Sequence, residues 1–534
     1  MKMSISKSQG SLLIILFLGL ILRFYNNLNI SLWHDEAFSA LMIRYPWGEM
    51  FYRLGLDVHP PAYYVFLRIW HYIFGESLLS LRGMSIFFGV GTIWAAYLFT
   101  KEAFKNEKAA LWAAFFIAVN PFQLKYVTEA RMYTMGAFFT LLSGYLLLKA
   151  LTSQKTLFVL TGQNMPNHPD LIKQKRITWA YFIGFTLSMV VIIYTHYYLF
   201  FTASALGLFG LLYVYFHHEG NWKKFIPLLA SFIVIIASFL PWLKVFLFQY
   251  KQVQAGYWIQ KMTVWSIPST FWDMLLGFSR DASKSTTQLL LIVVSLFSLF
   301  LFYRFLRKTQ GFAKWLVLFA VLAPFGGALL FALMAKLKGS NSSVYLDRYF
   351  LFASVYYSVA LAVWMKEIKI KWLSVLLFVI YCGLNLIAFA NYWQKLDVDS
   401  RKGMSGAADY LKQNVESQHH VFLGTSYEFF NYKYYATAVD IIPTRPLLFT
   451  GGRPYSSQLS HVEGVALLED ADLVPDFATA VNSQDTVWLV WTYAFGSNKP
   501  QVPLNWKQIG EEKEYPDVRP YLGTTIYITK YLVN

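Results

Sequence analysis

The chain has 534 residues, 56% hydrophobic and only 14% charged, with a net charge of +16. A soluble domain carries roughly 25% charged residues, so a wholly soluble protein is excluded and lipid is the natural solvent for this surface. The basic residues are spread along short stretches between apolar segments, which argues against nucleic acid and for cytoplasmic loops that meet anionic membrane lipids.

Residues 11–22, behind Lys2 and Lys7, have the length of a secretory h-region. The apolar run continues to Ile30 without a small-x-small cleavage site, so an uncleaved first span is expected. A spanning helix needs roughly 20 mostly apolar residues. About eleven stretches approach that length: 11–30, 81–100, 108–122, 131–150, 177–195, 197–216, 224–247, 286–306, 314–337, 349–366 and 371–391. The third is short.

The loops between these stretches alternate in charge. One set holds Lys101, Lys105 and Lys108, then Lys155, Lys173, Lys175 and Arg176, then Lys223 and Lys224, then Arg307, Lys308 and Lys314, then Lys369 and Lys371. The other set mixes in Asp35, Glu36, Glu49, Asp57, Glu76, Glu129, Asp273, Asp281 and Asp347. The positive-inside rule therefore expects a multi-pass protein of the inner (plasma) membrane, with a cytoplasmic N-terminus. An odd number of spans places the tail outside.

Residues 31–80 form the first outer loop, too polar to span. Two amphipathic pieces, 37–54 and 61–75, are expected to lie as helices in the interface. The second opens at His59-Pro60-Pro61, where proline suits a first helical turn. The texture changes after residue 397. Residues 403–416 have a helical pattern; 421–424, 486–491 and 524–529 have strand patterns. The expected fold class is mainly α, with a membrane bundle over 1–397 and a C-terminal soluble α/β domain over 398–534, extracytoplasmic by topology. The sole cysteine, Cys382, rules out an intrachain disulfide.

The unusual polar residues collect on the outer side. Trp33, Asp35, Glu36 and His59 lie in the first loop. Glu129, Arg131 and Tyr133 open the fourth span. His196 and Tyr197 sit in the turn between the fifth and sixth, and Asp347, Arg348 and Tyr349 enter the tenth. The spans carry no Asp or Glu between their ends, unlike ion-coupled transporters, which place ionisable groups near the midplane. Interfacial chemistry is the better expectation.

A positioned carboxylate can take a proton from an attacking hydroxyl. Asp35 and Glu36 are adjacent and cannot point the same way on a helix, so one can face a substrate while the other orients a partner. A solvated loop pair is the bland alternative. Arginine forks match phosphate oxygens, which makes Arg131 and Arg348 anion-binding candidates; local pairing with Glu129 and Asp347 is the alternative. Trp33, His59, Glu129, Tyr133, His196, Tyr197, Asp347 and Tyr349 could line a substrate cavity or belong to the interfacial belt. Arg23 is expected to snorkel to the interface. His59, Asp57 and a carboxylate at 35 or 36 have the chemistry to hold a divalent cation. Nothing in their spacing demands a metal, and a divalent cation stays an open alternative rather than an expectation.

Ser31-Leu32-Trp33-His34-Asp35-Glu36-Ala37-Phe38-Ser39 resembles the start of the first outer loop in bacterial glycosyltransferase family 39-like proteins, relatives of the dolichyl-phosphate-mannose protein mannosyltransferases and, more distantly, of the lipid A aminoarabinose transferase. Asp57-Val58-His59-Pro60-Pro61-Ala62-Tyr63-Tyr64, Glu129-Ala130-Arg131-Met132-Tyr133, Thr195-His196-Tyr197 and Asp347-Arg348-Tyr349 follow in that family's order. His34 departs from relatives that carry Tyr there. The resemblance implies a GT-C bundle, a polyprenyl-phosphate sugar donor, Asp35 as base with Glu36 as its support, and Arg131 and Arg348 as phosphate contacts. It leaves a lipid, glycan or protein acceptor open; the lumenal insertion of the protein O-mannosyltransferases is missing from the sequence. The function expected is transfer of a sugar to an acceptor hydroxyl at the outer face. The alternatives are a lipid-linked glycan flippase and an envelope-assembly scaffold without catalysis.

Overall fold

The computed structural model describes residues 6–161, 169–217, 222–255, 259, 261–277, 284–337, 339, 343–439, 443–494, 497–517 and 525–534. Lys2, Asp281 and Thr524, used above, lie outside the described residues. The helices in chain order are α1 (Lys7–Phe24), α2 (His34–Met42), α3 (Trp47–Leu56), α4 (Ala62–Phe74), α5 (Leu78–Phe104), α6 (Glu107–Val119), α7 (Pro121–Val127), α8 (Tyr133–Thr161) and α9 (Pro169–Thr195). They continue with α10 (Leu199–His217), α11 (Ile226–Ala255), α12 (Ser266–Leu276), α13 (Ser285–Lys308), α14 (Ala313–Leu337), α15 (Leu351–Glu367), α16 (Lys371–Leu396), α17 (Gly403–Asn414) and α18 (Ser426–Tyr434).

Among the described residues, 10 helices are long and apolar enough to cross a membrane. They correspond to the expected stretches except the third. That stretch forms two short helices, α6 and α7, broken at Asn120-Pro121. A residue before proline is driven out of the helical region, and Asn120 is extended at ψ 119°. Its side chain accepts from the Gln123 backbone N–H, so the break is also a cap.

The chain divides into two compact units. The first contains residues 1–25, 85–247 and 257–388; the second contains 26–84, 248–256 and 389–534.

In the first unit α15 is the core helix, with nearly every side chain buried. Its polar groups are satisfied from neighbouring helices: Tyr356 donates to the Thr140 carbonyl at 2.9 Å, Tyr357 shares a hydrogen bond with Ser298 at 2.9 Å, and Gln123 donates to Ser354 at 2.8 Å. Helices α8 and α9 pair through Ser143–Ser188 and Ser153–Thr178 hydroxyl contacts, both at 2.8 Å. Such bonds keep polar side chains paired where no water reaches. By contrast, the apolar window of α16 is only 6% buried, as suits a lipid-facing helix. Arg23 is buried, contrary to the expectation that it snorkels: it donates to the carbonyls of Gly19, Ala118 and Ile117 at 3.1–3.2 Å. The last carbonyls of α6 lack helical partners, and this guanidinium supplies them.

In the second unit the first loop folds as three helices, α2, α3 and α4, instead of the two expected. The expected first piece breaks between Met42 and Trp47, where Pro46 precedes α3. The tail carries a seven-stranded sheet of β1 (His420–Leu423), β2 (Pro446–Phe449), β3 (Leu473–Val474), β4 (Thr486–Thr492), β5 (Trp506–Gln508), β6 (Lys513–Pro516) and β7 (Thr525–Val533). The order is β3-β2-β1-β4-β7-β5, with β6 also on β7. Strands β1 to β4 pair in parallel, and β7 runs antiparallel to β4, with Leu489 opposite Thr529. Phe422, Val487, Leu489, Trp491, Phe477 and Trp506 fill one face.

Candidate functional site

Helix α2 begins so that Asp35 and Glu36 fall in its first turn, where the helix dipole favours negative charge. Consecutive residues on a helix point about 100° apart, and the two carboxylates meet different fates. Glu36 is fully buried. Both its oxygens accept from Arg82, from Nε and Nη2, each at 2.9 Å. Arg82 is also fully buried and donates to the backbone carbonyls of Asn27, Ile30 and Ser31. One side chain therefore ties the loop before α2 to α2 itself. Asp35 stays half-buried. Sequence reasoning missed Arg82. The signal available was a lone arginine four residues into a long apolar helix, following a loop with an acidic pair.

The tail brings further groups to this loop. Helix α18 packs on α2: the His34 ring lies 5.2 Å from Tyr427 and 5.3 Å from Phe430. Burial raises the Tyr427 phenol, and the charges of Glu463, Glu428 and Asp35 add to the rise. The Tyr435 hydroxyl accepts from the Leu32 N–H at 2.9 Å and contacts Ser31 at 3.3 Å. Trp33 precedes the first turn of α2 as its cap residue. Further along, His59 Nδ1 lies 2.8 Å from Asp57. Burial lowers His461, which also feels Asp57 and His59. Among the described residues no three His, Cys, Asp or Glu side chains group as a metal ion would require. The oxygens of Glu36, one member of the conceivable cation set, are already taken by Arg82.

The remaining sequence candidates lie in the first unit and form a cluster of their own. Glu129, Arg131, Tyr133 and His196 are all buried. The His196 ring sits 4.6 Å from Tyr349 and 6.2 Å from Tyr133. The Arg348 guanidinium lies 6.0 Å from the Tyr133 ring and 5.9 Å from Tyr349. His196 Nδ1 accepts from the Tyr198 N–H at 3.1 Å, so a neutral ring carries its proton on Nε2. Burial raises the Tyr126 phenol well above its ordinary value, with Glu129 and Asp347 adding to it and Arg348 opposing. Three separate sequence motifs thus converge. Tyr197 makes its contacts toward α11: its hydroxyl accepts from Trp242 at 2.9 Å, and its ring lies 4.9 Å from Phe246.

Comparison with known proteins agrees with the resemblance read from the motifs. Residues 58–163 match the family model of dolichyl-phosphate-mannose-protein mannosyltransferases, a stretch holding both the His59-Pro60-Pro61 and the Glu129–Tyr133 motifs. The chain is similar in structure to ArnT from Cupriavidus metallidurans bound to undecaprenyl phosphate, with TM-score 0.55 and 11% identity over 97% of this chain and 98% of that one. The same protein in its apo state gives TM-score 0.53 and 11% identity over 98% of each chain. Comparison with curated proteins finds no match.

Proposed function

We propose that this chain, whose fold is the GT-C bundle of ArnT, transfers a sugar from a polyprenyl-phosphate donor to an acceptor hydroxyl at the outer face of the inner membrane. The observation that carries the proposal is the division of labour in the acidic pair. Both oxygens of Glu36 bond Arg82 in the interior, while its neighbour Asp35 sits half-buried on the same first turn. A group that is held by its support and still reachable is what general base catalysis requires.

In the proposed reaction Asp35 takes the proton of the acceptor hydroxyl. The oxygen attacks the anomeric carbon and the bond from that carbon to the phosphate oxygen breaks. The polyprenyl phosphate leaves with the bonding electrons. A single displacement of this kind inverts the anomeric centre. Arg131 and Arg348 are assigned to the donor phosphate because a guanidinium fork matches its oxygens and stabilises the charge that develops on the leaving group. Tyr133, His196 and Tyr349 surround Arg348 or each other and are assigned to the polar lining with Glu129 and Asp347. Trp33 and His59 are assigned to the sugar or acceptor. The positive-inside pattern supports a cytoplasmic N-terminus, and beside the ten long helices an outer tail requires α6 and α7 together to make an eleventh crossing.

The test is a transfer assay on the purified full chain with a panel of polyprenyl-phosphate sugars and membrane-lipid acceptors. Sugar appearing on an acceptor, with stoichiometric release of polyprenyl phosphate, supports the proposal. Movement of lipid-linked sugar between leaflets without transfer from any donor would replace it with the flippase reading.

A further inference from the structure

The seam between α2 and α18 ends in a cavity of about 200 Å³ that the proposed chemistry does not use. Leu41, Tyr45 and Phe430 give it an apolar wall; Arg44, Lys433 and Thr437 give it a polar one. Thr437 belongs to a π-helical turn, Tyr435–Val439, that directly follows α18. Such turns are rare and recur at functional sites.

The charges are arranged unevenly. Arg44 bonds Glu76 through Nε and Thr437 through Nη1, the latter at 2.7 Å. Lys433 lies 3.2 Å from Asp472, which Arg445 also contacts at 2.7 Å. The two carboxylates, Glu76 and Asp472, stand behind the cations and do not line the cavity, so its polar wall presents two positive groups and a hydroxyl. Arg44 Nη2 is buried and has no hydrogen-bond partner among the described residues. Buried polar groups are nearly always bonded, and the side chain that carries this orphan donor is one that lines the cavity.

We propose that this cavity binds a phosphate-type oxyanion, held by Arg44 and Lys433; the Thr437 hydroxyl donates its proton to the Lys433 carbonyl at 2.6 Å and serves to position Arg44. A guanidinium fork and an ammonium are the groups that recognise phosphate oxygens, and the apolar wall tolerates whatever chain the phosphate carries. Leu41 is six residues beyond Asp35, about 9 Å along the helix at the standard rise. An occupant braces α2 against α18, and any effect on catalysis rests on the function proposed above. Binding itself does not, so the two can fail separately.

The test uses the full chain and two probes. Inorganic phosphate is titrated at constant ionic strength, with binding read from the thermal midpoint and phosphorus line broadening. Nanodiscs containing phosphatidic acid are compared with phosphatidylcholine alone. Lys433→Gln leaves Asp472 covered by Arg445, and Arg44→Lys keeps a positive charge toward Glu76 while losing the fork. Each is expected to weaken binding by about tenfold or more, the loss of a charge-assisted hydrogen bond. Saturable binding of inorganic phosphate that both variants weaken assigns a free anion. A response to phosphatidic acid alone, again weakened by both, assigns a lipid headgroup. No saturable response to either probe, or equal responses in wild type and variants, overturns the proposal and leaves the cavity to water.

Discussion

At the scale of single residues, the acidic pair shows how much a sequence can say about a site. Neighbouring carboxylates on a helix must diverge, and that follows from helix geometry alone. Which one turns inward was not legible, because it depends on Arg82, 46 residues further on. A buried ion pair broken on one side leaves an uncompensated charge, at a cost of about 3–5 kcal/mol. Glu36→Gln is therefore expected to lower the thermal midpoint sharply, and so is Arg82→Gln. The double variant should cost less than the sum of the two, measurable as a coupling energy in thermal unfolding. Additive losses would mean that the pair is not the anchor described. Arg23 shows the opposite case. Its place near a helix end suggests a snorkelling side chain, yet the orphan carbonyls of α6 capture it.

At the scale of elements, the long apolar helices were legible because composition and length suffice to mark them. Helix α18 was not. Its sequence, Ser426–Tyr434, has five aromatic residues and no clear helical period; it is fixed by packing on α2. It also buries Glu428, which accepts a hydrogen bond from the Thr425 hydroxyl. Burial pushes this carboxyl up to about 8. Its folded value is thus above its unfolded one, so the folded state holds a proton that the unfolded state has lost. Stability is then greatest at low pH and falls as pH rises from about 4.5 toward about 8, by up to about 1.4 kcal/mol per unit. Glu428→Gln, which keeps the bond from Thr425, should flatten that fall and raise the thermal midpoint at pH 8. An unchanged slope would show that Glu428 is already ionised in the fold. A second element prediction concerns α12, which ends at Gly277 with φ +89°. A Cβ there would come within 2.4 Å of Pro121 Cβ and 2.7 Å of the Phe122 backbone nitrogen. Gly277→Ala is expected to cost about 1–3 kcal/mol, read as a lower midpoint, through both the left-handed backbone and the collision with α7.

At the scale of the whole molecule, the sequence separated a membrane bundle from a soluble tail. It did not show that residues 26–84 group with that tail in one compact unit. That grouping rests on long-range contacts such as Tyr435 with Leu32 and Phe430 with Phe38, which no local pattern encodes. The proposed orientation is tested in a Cys382→Ser background. An impermeant maleimide added to intact cells should label the Ser417→Cys variant and spare Lys369→Cys, both exposed positions. The reverse pattern would invert the topology and move the acidic pair to the cytoplasmic face.

The central claim is that Asp35 is the base, and one comparison bears on it most directly. Sugar transfer and polyprenyl-phosphate release are measured for wild type and Asp35→Asn, alongside donor binding and the thermal midpoint. The isosteric change is expected to lower turnover at least about a hundredfold, with donor affinity and the midpoint unchanged. Transfer at the wild-type rate in the variant would contradict the claim and remove Asp35 from the chemistry.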